Sequence, residues 1–101
     1  MRAALPLLTL LLIRRRESYG YELVERLTAL GIDAGTGLVS PLLNRLERDG
    51  LVTTTSRPSP TGPPRKYFSL TAAGDAALAV ARSQWDHLSK AVDGALDDGK
   101  D

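Results

Sequence analysis

No cysteine occurs in the 101 residues, which removes disulfide scaffolds, thiolate metal sites and cysteine nucleophiles together. Its absence fits a reducing cytoplasm, the expected location. Histidine is almost as scarce: His87 is the only one and is expected to face solvent on a helix. No His/Asp/Glu cluster at ligand spacing and no glycine-rich phosphate loop after a strand accompanies it. Catalysis therefore lacks its usual residues, and neither an enzymatic activity nor a cofactor or metal is expected. Long apolar runs are missing too. The run from Ala3 to Ile13 follows Arg2, as in a signal peptide, but it meets Arg14, Arg15 and Arg16 at once and lacks a small-residue cleavage pattern. It is also too short to span a bilayer. A buried helix is the expected outcome, with no membrane partner.

What is present is an ordinary globular balance, 43% hydrophobic and 25% charged, in a chain whose single core is marginal in size and open to completion by a partner chain. The net charge of +1 is unevenly spread. Residues 36–66 carry Arg45, Arg48, Arg57, Arg65 and Lys66 against Glu47 and Asp49, whereas residues 71–101 carry three Lys/Arg against six Asp/Glu. A polyanionic partner should meet the basic middle.

Periodicity divides the chain into helices and a hairpin. Residues 3–15 form a helix that is apolar almost all round, with Pro6 tolerated in its opening turn. Ser18 is the expected N-cap of a second helix, whose stripe Leu23, Val24, Leu27 and Leu30 ends at Gly31. In a third helix Val39, Leu42, Leu43 and Leu46 share one face, and Gly50 ends it. Gly37, Pro41, Asn44 and Arg48 fall opposite, flanked by Ser40 on one side and by Leu38 and Arg45 on the other. Pro41 argues for a regular start near Leu38 or an irregular first turn. Leu51 to Ser56 reads as a strand and Arg65 to Leu70 as its return. The four prolines and one glycine of Arg57 to Pro64 read as a loop without regular structure. Alternation puts Phe68 and Leu70 on one face of the hairpin and Arg65 and Tyr67 on the other. Thr71 caps a long helix from Ala72 to about Leu96, in which Leu78, Ala81, Trp85, Leu88, Val92 and Ala95 follow the seam of a coiled coil. The economical cover for that seam is a second copy of the chain across a two-fold axis.

The expected fold is mainly α with a small two-stranded β wing: a winged helix-turn-helix over residues 1–70 and a C-terminal dimerisation helix over 71–101. A helix fits the major groove of duplex DNA and a basic hairpin reaches the adjacent backbone. The residues also resemble the PadR-type transcriptional regulators. Tyr19-Gly20-Tyr21-Glu22-Leu23, Pro41-Leu42-Leu43 with Arg45-Leu46-Glu47, Asp49-Gly50-Leu51-Val52, Arg65-Lys66-Tyr67, and Leu70-Thr71 with Ala73-Gly74 carry the likeness across nearly the whole chain. The single C-terminal helix is similar to the compact branch of that family. The resemblance implies a homodimeric repressor on a palindromic operator, released by a small ligand or another signal. Three departures stand out: Ser40 replaces the usual tyrosine, Leu38 the usual threonine, and Asn44 a frequent cation. The operator sequence therefore does not transfer from relatives.

The residues expected to meet DNA are Thr36, Ser40, Asn44, Arg45 and Arg48 on the third helix, Arg57, Arg65 and Lys66 on the wing, and Tyr19. Tyr19 and Tyr21 fit equally a phosphate contact or a buried hydroxyl that anchors the second helix. Leu38 is expected to pack against a neighbour rather than read thymine methyls. Arg14, Arg15 and Arg16 suit a solvated helix C-terminus. Leu78, Ala81, Trp85, Leu88 and Val92 are expected in the dimer seam. Trp85 supports two readings, simple interface packing or stacking of a flat aromatic inducer. In the second, Leu5, Leu8, Leu12 and Leu88 would line the ligand site. An alternative to DNA binding is a winged helix that docks a protein through Leu38 and the hairpin.

Overall fold

A computed structural model describes residues 4–98. Ala3 of the expected first helix lies outside the described residues, as do 99–101 of the expected dimerisation segment. The elements are α1 (Ala4–Arg15), β1 (Ser18–Tyr19), α2 (Gly20–Ala29), α3 (Gly35–Arg48), β2 (Val52–Ser59), β3 (Gly62–Leu70) and α4 (Ala72–Asp98). The sheet is antiparallel with strand order β1-β3-β2.

The core forms where the apolar stripes converge. Leu10 and Ile13 of α1, Leu23 and Leu27 of α2, and Val39, Leu42, Leu43 and Leu46 of α3 pack together with Val52, Phe68 and Leu78. Both predicted glycine stops work alike. Gly31 (φ +85°) and Gly50 (φ +76°) take the left-handed conformation, which lets Ile32 N–H reach back to Leu27 O and Leu51 N–H to Leu46 O, each at 2.9 Å. Leu30, expected on the buried stripe of α2, is exposed instead because it is the C-cap residue, where the chain already leaves the core.

Three expectations are corrected. Ser18 is not an N-cap: it is fully buried and pairs with Phe68 as a third strand. Its hydroxyl accepts a 2.8 Å hydrogen bond from Arg26 Nη1, and Tyr19 takes the cap position with no side-chain bond. Arg26 Nη1 also donates to the Arg16 carbonyl at 3.3 Å, so one guanidinium ties the end of α1 to α2. Secondly, regular helix does not wait until Leu38: α3 starts at Gly35, whose φ of +63° makes its opening irregular, the other alternative, and continues through Pro41. Pro41 and Gly37 are both exposed, so water can serve the Gly37 carbonyl that the proline cannot. Thirdly, the proline-rich segment is strand almost to its tip. Between the pairs Arg57–Arg65 and Ser59–Gly62 lie Pro58 on one strand and Pro63 and Pro64 on the other, a bulge. Prolines are tolerated because a strand edge has amides that no neighbour needs.

Thr71 joins sheet to helix as expected. Its Oγ1 accepts from Gly74 N–H at 3.0 Å and donates to the Gly50 carbonyl at 2.6 Å. Gly74 is buried so tightly that an added Cβ would overlap the Leu51 carbonyl and lie 3.1 Å from Leu70 Cγ. Beyond this anchor α4 leaves the body. A helix of 27 residues is about 40 Å long, and the molecule measures 60 × 27 × 20 Å. Among the described residues no helix is long and apolar enough to cross a membrane.

Candidate nucleic-acid interface

The outward face of α3 follows from its buried one. With Val39, Leu42, Leu43 and Leu46 turned into the core, the helical repeat leaves Thr36, Gly37, Ser40, Pro41, Asn44, Arg45 and Arg48 exposed. Neither the Arg45 nor the Arg48 side chain forms a salt bridge or hydrogen bond with a described residue. These are the residue types that suit base edges and phosphates: an amide for adenine, guanidinium groups for guanine or backbone.

The wing holds its cations differently. On one face of the sheet, Tyr19 and Tyr67 are paired across β1 and β3 and meet edge to face with centroids 5.3 Å apart. Arg65 lies 4.4 Å from the Tyr19 ring and Arg57 4.8 Å from the Tyr67 ring, so two arginines opposite each other in register flank two aromatics. Arg57 also pairs with Glu17, whose other oxygen accepts from Ser69 Oγ at 2.7 Å. On the opposite face Lys66 lies over Phe68 and reaches α3, where its Nζ is 3.0 Å from Glu47 Oε1. Thr54 donates to the second Glu47 oxygen at 3.2 Å. The hydrogen bond from Lys66 is the largest influence on the Glu47 carboxyl and burial, which opposes it, the second; with the weaker help of the Thr54 bond and the lysine charge, the carboxyl is held below its ordinary value.

The expected residues therefore fall into two neighbouring groups, α3 and wing, joined by Glu47. Tyr19 belongs to the wing as the platform under Arg65, and neither Tyr19 nor Tyr21 is a buried anchor: the first is half-buried and the second 62% exposed. Sequence reasoning missed Glu17 and Glu47 as wing partners. The only signal for them is their charge, and the pairings join residues 40 and 19 positions apart. At the end of α1, Arg14 pairs with Asp75 of α4 at 3.3 Å and Arg16 with Glu22 at 3.8 Å.

Away from this surface, α1 and α4 border an apolar groove of about 360 Å³ lined by Leu7, Leu8, Leu11, Trp85, Arg82 and Asp86, among others. Leu88 borders an adjoining recess with Leu7, Ala81 and Trp85. The other two leucines expected there lie elsewhere. Leu12 is packed in the core, and Leu5 sits on the far side of α1, beside Leu38 and Pro41. Leu78 is likewise corrected: at 2% exposure it completes this chain's own core and is not available to a partner. Trp85, Leu88, Val92 and Leu96 further along α4 are all exposed, from 49% to 66%.

Comparison with known proteins places this geometry. The family described as transcriptional regulator PadR-like matches residues 8–80. A Streptococcus transcriptional regulator of known structure is 43% identical, with a TM-score of 0.84 and 92% of each chain covered. A PadR-like transcriptional regulator from Bacillus cereus is 32% identical, with a TM-score of 0.86, covering 94% of this chain and 93% of that one. Bacillus subtilis PadR, solved in complex with operator DNA, is 26% identical with a TM-score of 0.70 over 75% of this chain and 44% of that one. None of the curated proteins matches. These proteins are regulators rather than enzymes, and this chain belongs to the PadR-like family of transcriptional regulators.

Proposed function

We propose that the chain is a homodimeric repressor that occupies a palindromic operator through α3 and the wing and is released by a small apolar or aromatic ligand. The observation that carries this reading is the exposed face of α3, with Asn44, Arg45 and Arg48 unpaired among the described residues. It lies beside a hairpin that presents Arg57, Arg65 and Lys66. The similar Bacillus subtilis PadR, solved in complex with operator DNA, supports DNA as the partner. In the division of labour proposed here, residues 1–70 read DNA and 71–101 dimerise. The exposed row Trp85, Leu88 and Val92, with Ala81 behind it, favours a second copy as its cover, since a row of large apolar side chains is costly to leave in water. The groove beside Trp85 is the place for an inducer, which would change the separation of the two α3 helices; its effect on DNA affinity equals the effect of DNA on ligand affinity.

Selection of bound duplexes from a random pool tests the reading. The expected product is a palindrome with half-sites about 10 base pairs apart or a multiple of that, bound with steep salt dependence. Recovery of no preferred duplex, together with salt-insensitive binding to a protein, would overturn it.

A further inference from the structure

We propose that Leu38 reads the C5-methyl group of a thymine in each operator half-site, an inference that rests on the DNA-binding reading above. The sequence suggests that this leucine packs against a neighbour, but the fold leaves it 53% exposed. Its cover is slight: with Leu5, Pro6 and Pro41 it borders an open depression between α1 and α3. Leu38 and Pro41 are three positions apart and thus neighbours on the helix surface, so the first half of α3 presents an apolar patch. Gly37 beside them would have nothing within 4 Å of an added Cβ, which leaves room for a base edge to approach the backbone. The arginines come only later, at Arg45 and Arg48.

That order along the helix decides the partner. A recognition helix places its N-terminal residues among the base edges, and the one apolar group that unmodified B-form DNA offers in the major groove is the thymine methyl. A threonine here would bring a hydroxyl with hydrogen-bonding partners of its own. Leucine brings none, so it gains only from a methyl group or loses by covering a polar edge. The residue accordingly discriminates for thymine and against cytosine at one position per half-site.

The test uses the full chain and the selected duplex. Each thymine is replaced in turn by deoxyuridine, which deletes the methyl and keeps every hydrogen-bonding group. At one thymine per half-site the replacement should weaken binding about fourfold, the equivalent of about 0.8 kcal/mol for one buried carbon. In Leu38→Ala the same replacement should change Kd less than twofold, while Leu38→Met keeps the sensitivity. The exposed position predicts unchanged melting curves for both variants, and if Leu38→Ala fails to fold, Leu38→Ser, which also lacks the reach of leucine, carries the comparison. A half-site without thymine, a duplex in which no deoxyuridine matters, or equal sensitivity in wild type and Leu38→Ala would overturn the proposal. Failure to select any duplex would remove the DNA-binding reading itself, and this inference with it.

Discussion

On α3, the side chains of Arg45 and Arg48 occupy exposed positions with no ion pair or hydrogen bond to a described residue. On the wing, Arg57 is held by Glu17, Lys66 by Glu47, and Arg65 against the ring of Tyr19. The two regions are adjacent and the wing carries three cations to the two of α3, yet α3 keeps its cations free and the wing keeps them placed. A free arginine loses side-chain entropy when it meets a phosphate. A placed one has lost much of it already, but must exchange a carboxylate for the phosphate. Exposed ion pairs of the wing type contribute little to stability, so their role is better sought in geometry: Glu47 links β3 to α3, and Glu17 links β2 and β3 to the end of α1.

The most severe way to break this contrast is to disturb the base of the wing. Gly74→Ala would drive a methyl group into the Leu51 carbonyl, which also accepts the Thr71 amide at 3.1 Å. We expect a loss of about 3 kcal/mol, the upper part of the usual range for overpacking, seen as a lowered melting temperature. A neutral result would mean that α4 is not seated on the sheet as described. A smaller effect separates the two kinds of cation directly. Arg48→Ala should weaken operator binding about tenfold, whereas Lys66→Ala should weaken it less and reduce the salt slope by about 1. Equal losses would erase the distinction, and an unchanged slope would remove Lys66 from the interface.

The smallest effect concerns Glu47. Its carboxyl is held below the ordinary value of 4.5 chiefly by the hydrogen bond from Lys66. The contact therefore favours the folded state fully above that ordinary value, and the benefit disappears as pH falls through the depressed one. Melting temperatures of wild type and Glu47→Gln should differ at neutral pH and converge as pH falls through the depressed carboxyl value. At neutral pH the freed Lys66 should raise operator affinity slightly, by no more than about threefold. A gap that persists at low pH would mean that the carboxylate charge is not what Lys66 responds to.

Much of the body was legible from the chain because it depends on local period. The stripes Leu23/Leu27 and Val39/Leu42/Leu43/Leu46, the stops at Gly31 and Gly50 and the cap at Thr71 all appear where the spacing puts them. What escaped depends on distant partners. Ser18 becomes a strand only because Phe68 comes alongside, and no pattern of two residues can announce that. Leu78 satisfies both a coiled-coil seam and a core position, and the close seating of Gly74 turns it inward. In the candidate interface, the exposed face of α3 followed from its buried one, while the hold of Glu17 and Glu47 on the wing required the fold. Leu38 is the opposite case, a leucine whose type suggests burial and whose place on the helix leaves it in water.

The bulge at Pro58, Pro63 and Pro64 has a further consequence. β1 covers β3 only at Tyr67 and Phe68, so most of the wing is a two-stranded ribbon with both margins open. Such margins invite strands from other molecules and, eventually, aggregates. Each proline deletes an amide donor and the bulge puts the ribbon out of step with any straight strand laid beside it. The same residues that make the outer part of the hairpin read as a loop protect it from its own copies.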